Sequence, residues 1–88
     1  MQNLESLREE ISRIDAEIIQ KLAQRQKLVL EVGKIKADNA LAITDNHRES
    51  QLFAYYEKLS QQYGLSADFV KQLFDLVISY SRRLQEDV

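Results

Sequence analysis

Eight side chains with chemical capacity fall on lines that helix periodicity assigns to apolar residues. They are the cations Arg8, Arg25, Lys36 and Arg48, the carboxylates Asp45 and Glu49, and the neutral Ser81 and Gln85. In the first of three helical segments the stripe reads Leu22, Arg25, Val29, Val32, Lys36. At ~100° per residue, Arg25 and Lys36 point within ~20° of each other, about three turns apart. In the second segment, Asp45, Arg48, Glu49, Leu52, Tyr56 and Leu59 share one line at three- and four-residue steps. In the third, Phe74, Val77 and Ile78, Ser81 and Gln85 form a line that turns polar towards its C-terminal end. Burying several unpaired cations is prohibitive, and the two carboxylates offset only half of them. The remaining excess of positive charge calls for an anion with two negative groups, or for a wet cavity. A small dicarboxylate held inside a helical bundle satisfies the pattern.

Each residue also has a plainer account. A polar residue on an apolar helix face often sets register or oligomer state. Arg and Lys lay their stems on apolar surface and lift the charge into water. Asp45 suits a helix N-cap, and Ser81 suits a bond back to its own helix. The combination of all eight is what favours a ligand site. Arg8 stands apart, since its direction differs from that of Arg25 by roughly 100°. It does not easily join Arg25 within one chain, although it could serve a site on a second copy.

The chemistry such a site performs is bounded by what the sequence lacks. There is no Cys, and the single His47 points away from the Asp45–Glu49–Leu52 line, so no nucleophile–base pair is expected. No Gly-rich loop cradles a phosphate. Asp45 and Glu49 have no companion His or Cys, which argues against a metal site. With Arg48 between them, both carboxylates are suited to holding charge rather than to moving a proton. Positioning and electrostatic stabilisation remain.

The elements that carry these residues are helices. The composition is rich in Leu, Ile, Gln, Glu, Lys and Ala, with no Pro and only two Gly. The first helix is expected over residues 3–38, with the apolar stripe Leu4, Leu7, Ile11, Ile14, Ile18 shifting by one position at Leu22. Gly33 is tolerated within it at a cost of about 1 kcal/mol and suits a close approach of another element. Residues 40–44 read as a loop. A second helix over 45–63 starts at Thr44 or Asp45 and stops at Gly64, with Leu52, Tyr56, Leu59 and Tyr63 as its apolar face. Ser66 caps a third over 67–86, with Asp68 in its first turn and Phe69, Val70, Leu73, Phe74, Val77, Ile78 and Leu84 as its apolar positions.

The first helix, at 1.5 Å per residue, extends ~54 Å. A compact domain of this length has a radius of gyration of only ~12 Å. The helix therefore overhangs its own subunit with apolar residues exposed, and an intertwined all-α homodimer is the simplest closed solution.

At 88 residues the chain is expected to form a single domain over 1–88 with a modest core, which also favours self-association. Twelve Lys and Arg against fourteen Asp and Glu give a net charge of −2, a poor basis for nucleic-acid binding. No apolar run approaches the ~18 residues needed to cross a membrane. The absence of Cys fits a reducing compartment. The N-terminus lacks the basic start and apolar stretch of a signal peptide, so a cytoplasmic location is expected.

A resemblance joins these pieces. Leu7-Arg8-Glu9-Glu10-Ile11-Ser12-Arg13-Ile14-Asp15, Leu22-Ala23-Gln24-Arg25, Glu31-Val32-Gly33-Lys34-Ile35-Lys36 and Asp45-Asn46-His47-Arg48-Glu49 are similar to the all-helical chorismate mutase family. The similarity continues through Gly64-Leu65, Leu73-Phe74 and Ser81 to Gln85. It implies a Claisen rearrangement of chorismate to prephenate in phenylalanine and tyrosine biosynthesis, without cofactor, nucleophile or proton transfer. It also implies an intertwined three-helix dimer with shared sites. By the same resemblance, Arg25 and Ser81 hold the ring carboxylate, while Lys36 and Arg8 of the partner hold the enolpyruvyl carboxylate. Lys36 and Gln85 donate to the ether oxygen. Glu49 and the Asp45 region hold the ring hydroxyl, and Arg48 organises the carboxylates and Lys36. Val32 and Ile78 supply apolar walls.

Two other functions compete with this one. An isochorismate pyruvate lyase on the same fold binds a similar dicarboxylate; Glu49 favours the mutase, because an apolar residue tends to stand there in the lyases. A non-catalytic helical dimerisation module would be unaffected or stabilised when Arg25 or Lys36 is replaced by Ala, since each change removes a buried charge.

Overall fold

The structure is a computed structural model and describes residues 3–87. It contains three helices: α1 (Leu4–Asp38), α2 (Asn46–Tyr63) and α3 (Ala67–Glu86). Local chemistry sets their bounds. The Asn3 side chain accepts the Ser6 N–H at 2.9 Å and opens α1. Asp45 accepts the Arg48 N–H at 3.0 Å to open α2, and Ser66 accepts the Phe69 N–H to open α3. Gly64 closes α2 in the left-handed region at φ 69°. Ala40, just past α1, also takes a positive φ of 53°, an unusual conformation for a residue with a Cβ. The turn it makes lets the Leu41 N–H donate to the Lys36 carbonyl at 2.8 Å.

The third helix is the centre of the fold, packing on α1 along one side and on α2 along the other. The α2–α3 seam holds the core. Tyr56, Val70 and Ile78 are buried there, with Leu52, Phe53 and Phe74 packed against them. Tyr56 stacks on Phe74 at 4.2 Å between ring centres and meets Phe53 edge-on at 5.7 Å. Ser60 is fully enclosed and donates to the Tyr56 carbonyl at 2.7 Å, so its hydroxyl is satisfied within its own helix. Phe53, three residues before Tyr56, stands at the edge of the same face and packs edge-on against that ring, although the expected apolar face did not include it. Tyr63 departs from the expected inward face and is 69% exposed. It stands on the rim of an open apolar groove that it lines with Leu65 and, from α3, Phe69 and Leu73.

The subunit measures 57 × 24 × 15 Å, with a radius of gyration of 16.4 Å. That is well above the ~12 Å of a compact chain of this length, and α1 accounts for it. Its buried position is Gly33 alone, while Leu4, Leu7, Ile11, Ile14 and Ile18 are all exposed. Among the described residues, no helix is long and apolar enough to cross a membrane.

Candidate active site

The C-terminal half of α1, the start of α2 and the end of α3 enclose a cavity of about 250 Å³. Its polar lining brings together Arg25, Lys36, Asp45, Arg48, Glu49, Ser81 and Gln85. Leu28, Val29, Val32, Ile43, Leu52 and Ile78 form apolar walls. Arg8 is not among them. It is exposed on the distal part of α1, beside Glu5, Glu9, Ser12 and Arg13. Seventeen residues of helix separate it from Arg25, a rise of about 25 Å. His47 is exposed and does not line the cavity. Among the described residues, no cluster of His, Cys, Asp or Glu has the makeup of a metal site.

Helix geometry positions each group. Arg25 reaches across to α3, where its Nη1 donates to the Ser81 hydroxyl. That hydroxyl in turn donates to the Val77 carbonyl at 2.8 Å. Ser81 thus uses its own helix to aim an oxygen lone pair at the guanidinium, and it is buried in doing so. Lys36, in the last turn of α1, donates from Nζ to the Ile43 carbonyl at 2.8 Å. The α1–α2 loop is therefore tied to Lys36 twice, at its main-chain carbonyl by Leu41 and at its ammonium by Ile43. Asp45 combines the two roles the sequence leaves open: it caps α2 and lines the cavity.

One charged residue of the cavity wall was not among those expected from the sequence. Arg82 lines the cavity and pairs through Nη2 with Oε1 of Glu49, bridging α2 and α3. It stands one position beyond the Ser81 line. Its signal was the spacing Ile78–Arg82–Gln85, four residues and then three, which places it on the same wall as Gln85.

Electrostatically the cavity is short of anions. Four cations face two carboxylates, and one carboxylate is occupied by Arg82. Among the described residues, Arg25 and Lys36 meet neutral oxygens rather than carboxylates. Among the described residues, two buried side-chain polar atoms have no hydrogen-bond partner, Arg82 Nε and Gln85 Oε1. An unsatisfied buried group costs about 1–3 kcal/mol, so a ligand that meets these atoms recovers that energy on binding. The cavity matches a small, polar, doubly negative molecule with further donor and acceptor oxygens.

Comparisons with known proteins agree with this chemistry. The sequence pattern of the family described as chorismate mutase type II matches residues 7–86. A bifunctional chorismate mutase/prephenate dehydratase from Buchnera aphidicola subsp. Acyrthosiphon pisum is 35% identical over 90% of this chain and 20% of its own length. One from Escherichia coli K12 is 35% identical over 92% of this chain and 21% of its own length. This chain thus spans about a fifth of those curated relatives. A protein named chorismate mutase from Methanocaldococcus jannaschii is 26% identical over 98% of this chain and 87% of its own length. The match covers all three helices but for the first three residues of α1, and every residue that lines the cavity, and the chain belongs to the type II chorismate mutase family.

Proposed function

We propose that the chain catalyses the rearrangement of chorismate to prephenate. One observation carries this reading: in a member of this family, an anion-poor cavity collects Arg25, Lys36, Arg48, Glu49, Ser81 and Gln85 from all three helices. The substrate is a dianion, and the reaction breaks a C–O bond while forming a C–C bond in one cyclic step. Arg25, backed by Ser81, binds one carboxylate. Lys36 binds the other and, together with the Gln85 amide, donates to the ether oxygen. Glu49 and Asp45 receive the ring hydroxyl, and Arg48 holds the surrounding charges in place. Fixing both carboxylates selects the compact conformer in which the bonds exchange. The donors at the ether oxygen meet charge that is greatest in the transition state, so they lower the barrier rather than only tightening binding. Together these effects must supply at least ~8 kcal/mol.

The working unit of this reading is a homodimer with sites shared between subunits. Arg8 sits too far along α1 to reach its own cavity, and the apolar stripe around it is open to solvent. A second copy supplies both the cover for that stripe and an Arg8 for each cavity. The absence of cysteine suits a reducing compartment, and we place the reaction in the cytoplasm.

The test is product analysis on the purified protein. Chorismate loss followed by absorbance, with prephenate as product, is the expected result. Salicylate and pyruvate from isochorismate would instead assign the lyase activity. Glu49 on the cavity wall favours the mutase. No turnover of either substrate would leave the dimerisation module.

A further inference from the structure

We propose that Arg82 is a substrate-site residue of this enzyme, holding the Glu49 carboxylate through Nη2 and presenting its Nε–H to an oxygen of the bound dianion. The inference rests on the mutase reading above and adds a residue to it.

Three observations separate this arginine from an ordinary surface ion pair. Both members line the cavity, and Glu49 is only 19% exposed against 37% for Arg82, so the pair bridges α2 and α3 at the cavity wall with its carboxylate side largely covered. Its Nε is cut off from solvent and has no partner, which a solvated arginine does not tolerate. Gln85, one turn on and half-buried, likewise carries a buried side-chain oxygen without a partner on the same wall. The guanidinium is a rigid planar fork, so fixing Nη2 on Glu49 also fixes the direction of Nε–H.

The cradle has a definite chemical complement. One Glu49 oxygen is held by Arg82, leaving the other to accept a hydrogen bond. Nε–H needs an acceptor. A hydroxyl provides both functions in one group, donating to the carboxylate and accepting from Nε–H. Arg82 therefore acts on the hydroxyl end of the substrate, away from the ether oxygen served by Lys36 and Gln85. The pair behaves as one unit, and loss of either member disables both.

Steady-state kinetics on the purified protein test this. Arg82→Gln is expected to lower kcat/KM for chorismate by about tenfold to a hundredfold, the worth of a charge-assisted hydrogen bond. Arg82→Lys, which keeps the charge but not the fork, is expected to stay low. Glu49→Gln falls too, and the Arg82→Gln/Glu49→Gln double variant falls no further than the worse single variant. Helicity by circular dichroism and the unfolding midpoint are followed for every variant, and Arg82→Lys serves as the folded comparison if Arg82→Gln unfolds. Unchanged kinetics in Arg82→Gln, full rescue by Lys, or losses that multiply in the double variant each overturn the proposal. A wild-type protein that does not convert chorismate overturns the mutase reading itself, a different result from an active wild type indifferent to position 82.

Discussion

Arg25 and Lys36 stand three turns apart on one face of α1, and each donates to a neutral oxygen rather than to a carboxylate. Replacing either with Ala removes a donor from the cavity and is expected to lower kcat by about a hundredfold to a thousandfold, while circular dichroism stays helical. A dimerisation module predicts the opposite: full retention of its properties, or a raised unfolding midpoint once a buried charge is gone. Gln85 offers a second check. It has no ionisable proton, so the donation to the ether oxygen proposed for it is independent of acidity. Turnover should hold from about pH 5 to pH 8, the range in which a histidine would change charge; a steep loss across that range in a pH–rate profile would remove Gln85 from its role. Most cavity residues were legible because charge on an apolar line is anomalous under helix periodicity. Arg82 was not, because its line begins at Ile78 and its neighbour Arg83 is exposed, so the pair reads as a solvated end of α3. Its partner Glu49 lies thirty-three residues away, and spacing within one helix says nothing about contact at that distance.

Local signals largely determine where the elements start and stop. Asp45 and Ser66 cap with their side chains, and Gly64 takes the left-handed conformation that ends α2. A methyl group built on Gly64 would meet nothing within 4 Å, so Gly64→Ala isolates the cost of placing a Cβ at φ 69°. A loss of about 1 kcal/mol in urea-induced unfolding is expected. The same logic with the opposite sign applies at Ala40, where φ is 53°. Ala40→Gly removes a strain of roughly 1–2 kcal/mol against a smaller entropic cost, so a modest gain in the unfolding midpoint is expected. Periodicity served less well for the aromatic residues. Phe53, at the edge of the α2 face, joins the core through an edge-on contact with Tyr56, while Tyr63 stays exposed on the rim of an apolar groove shared with Phe69 and Leu73. A helical wheel ranks faces; it does not record how deeply a neighbouring helix covers each residue.

For the whole molecule, the 57 Å dimension and the exposed stripe of α1 follow from one property of the sequence, a helix with no break for 35 residues. That overhang was predictable from length alone, since a helix grows linearly and a compact core does not. Sharing of sites is testable by complementation. Arg8→Ala and Lys36→Ala proteins are each expected to be inactive. After subunit exchange about a quarter of wild-type activity should return, because half the dimers are mixed and one of their two sites is intact. A mixture that stays inactive would place each complete site within one chain. Charged substitutions on the stripe, such as Ile11→Asp with Ile14→Asp, should yield a smaller species in sedimentation and abolish turnover while leaving the distant cavity residues untouched. An open stripe also makes catalytic output a matter of mass action. If Arg8 of a second copy completes each cavity, as proposed, specific activity should decay on dilution and recover on reconcentration. Below the dissociation constant, total rate should climb with the square of protein added rather than in proportion to it.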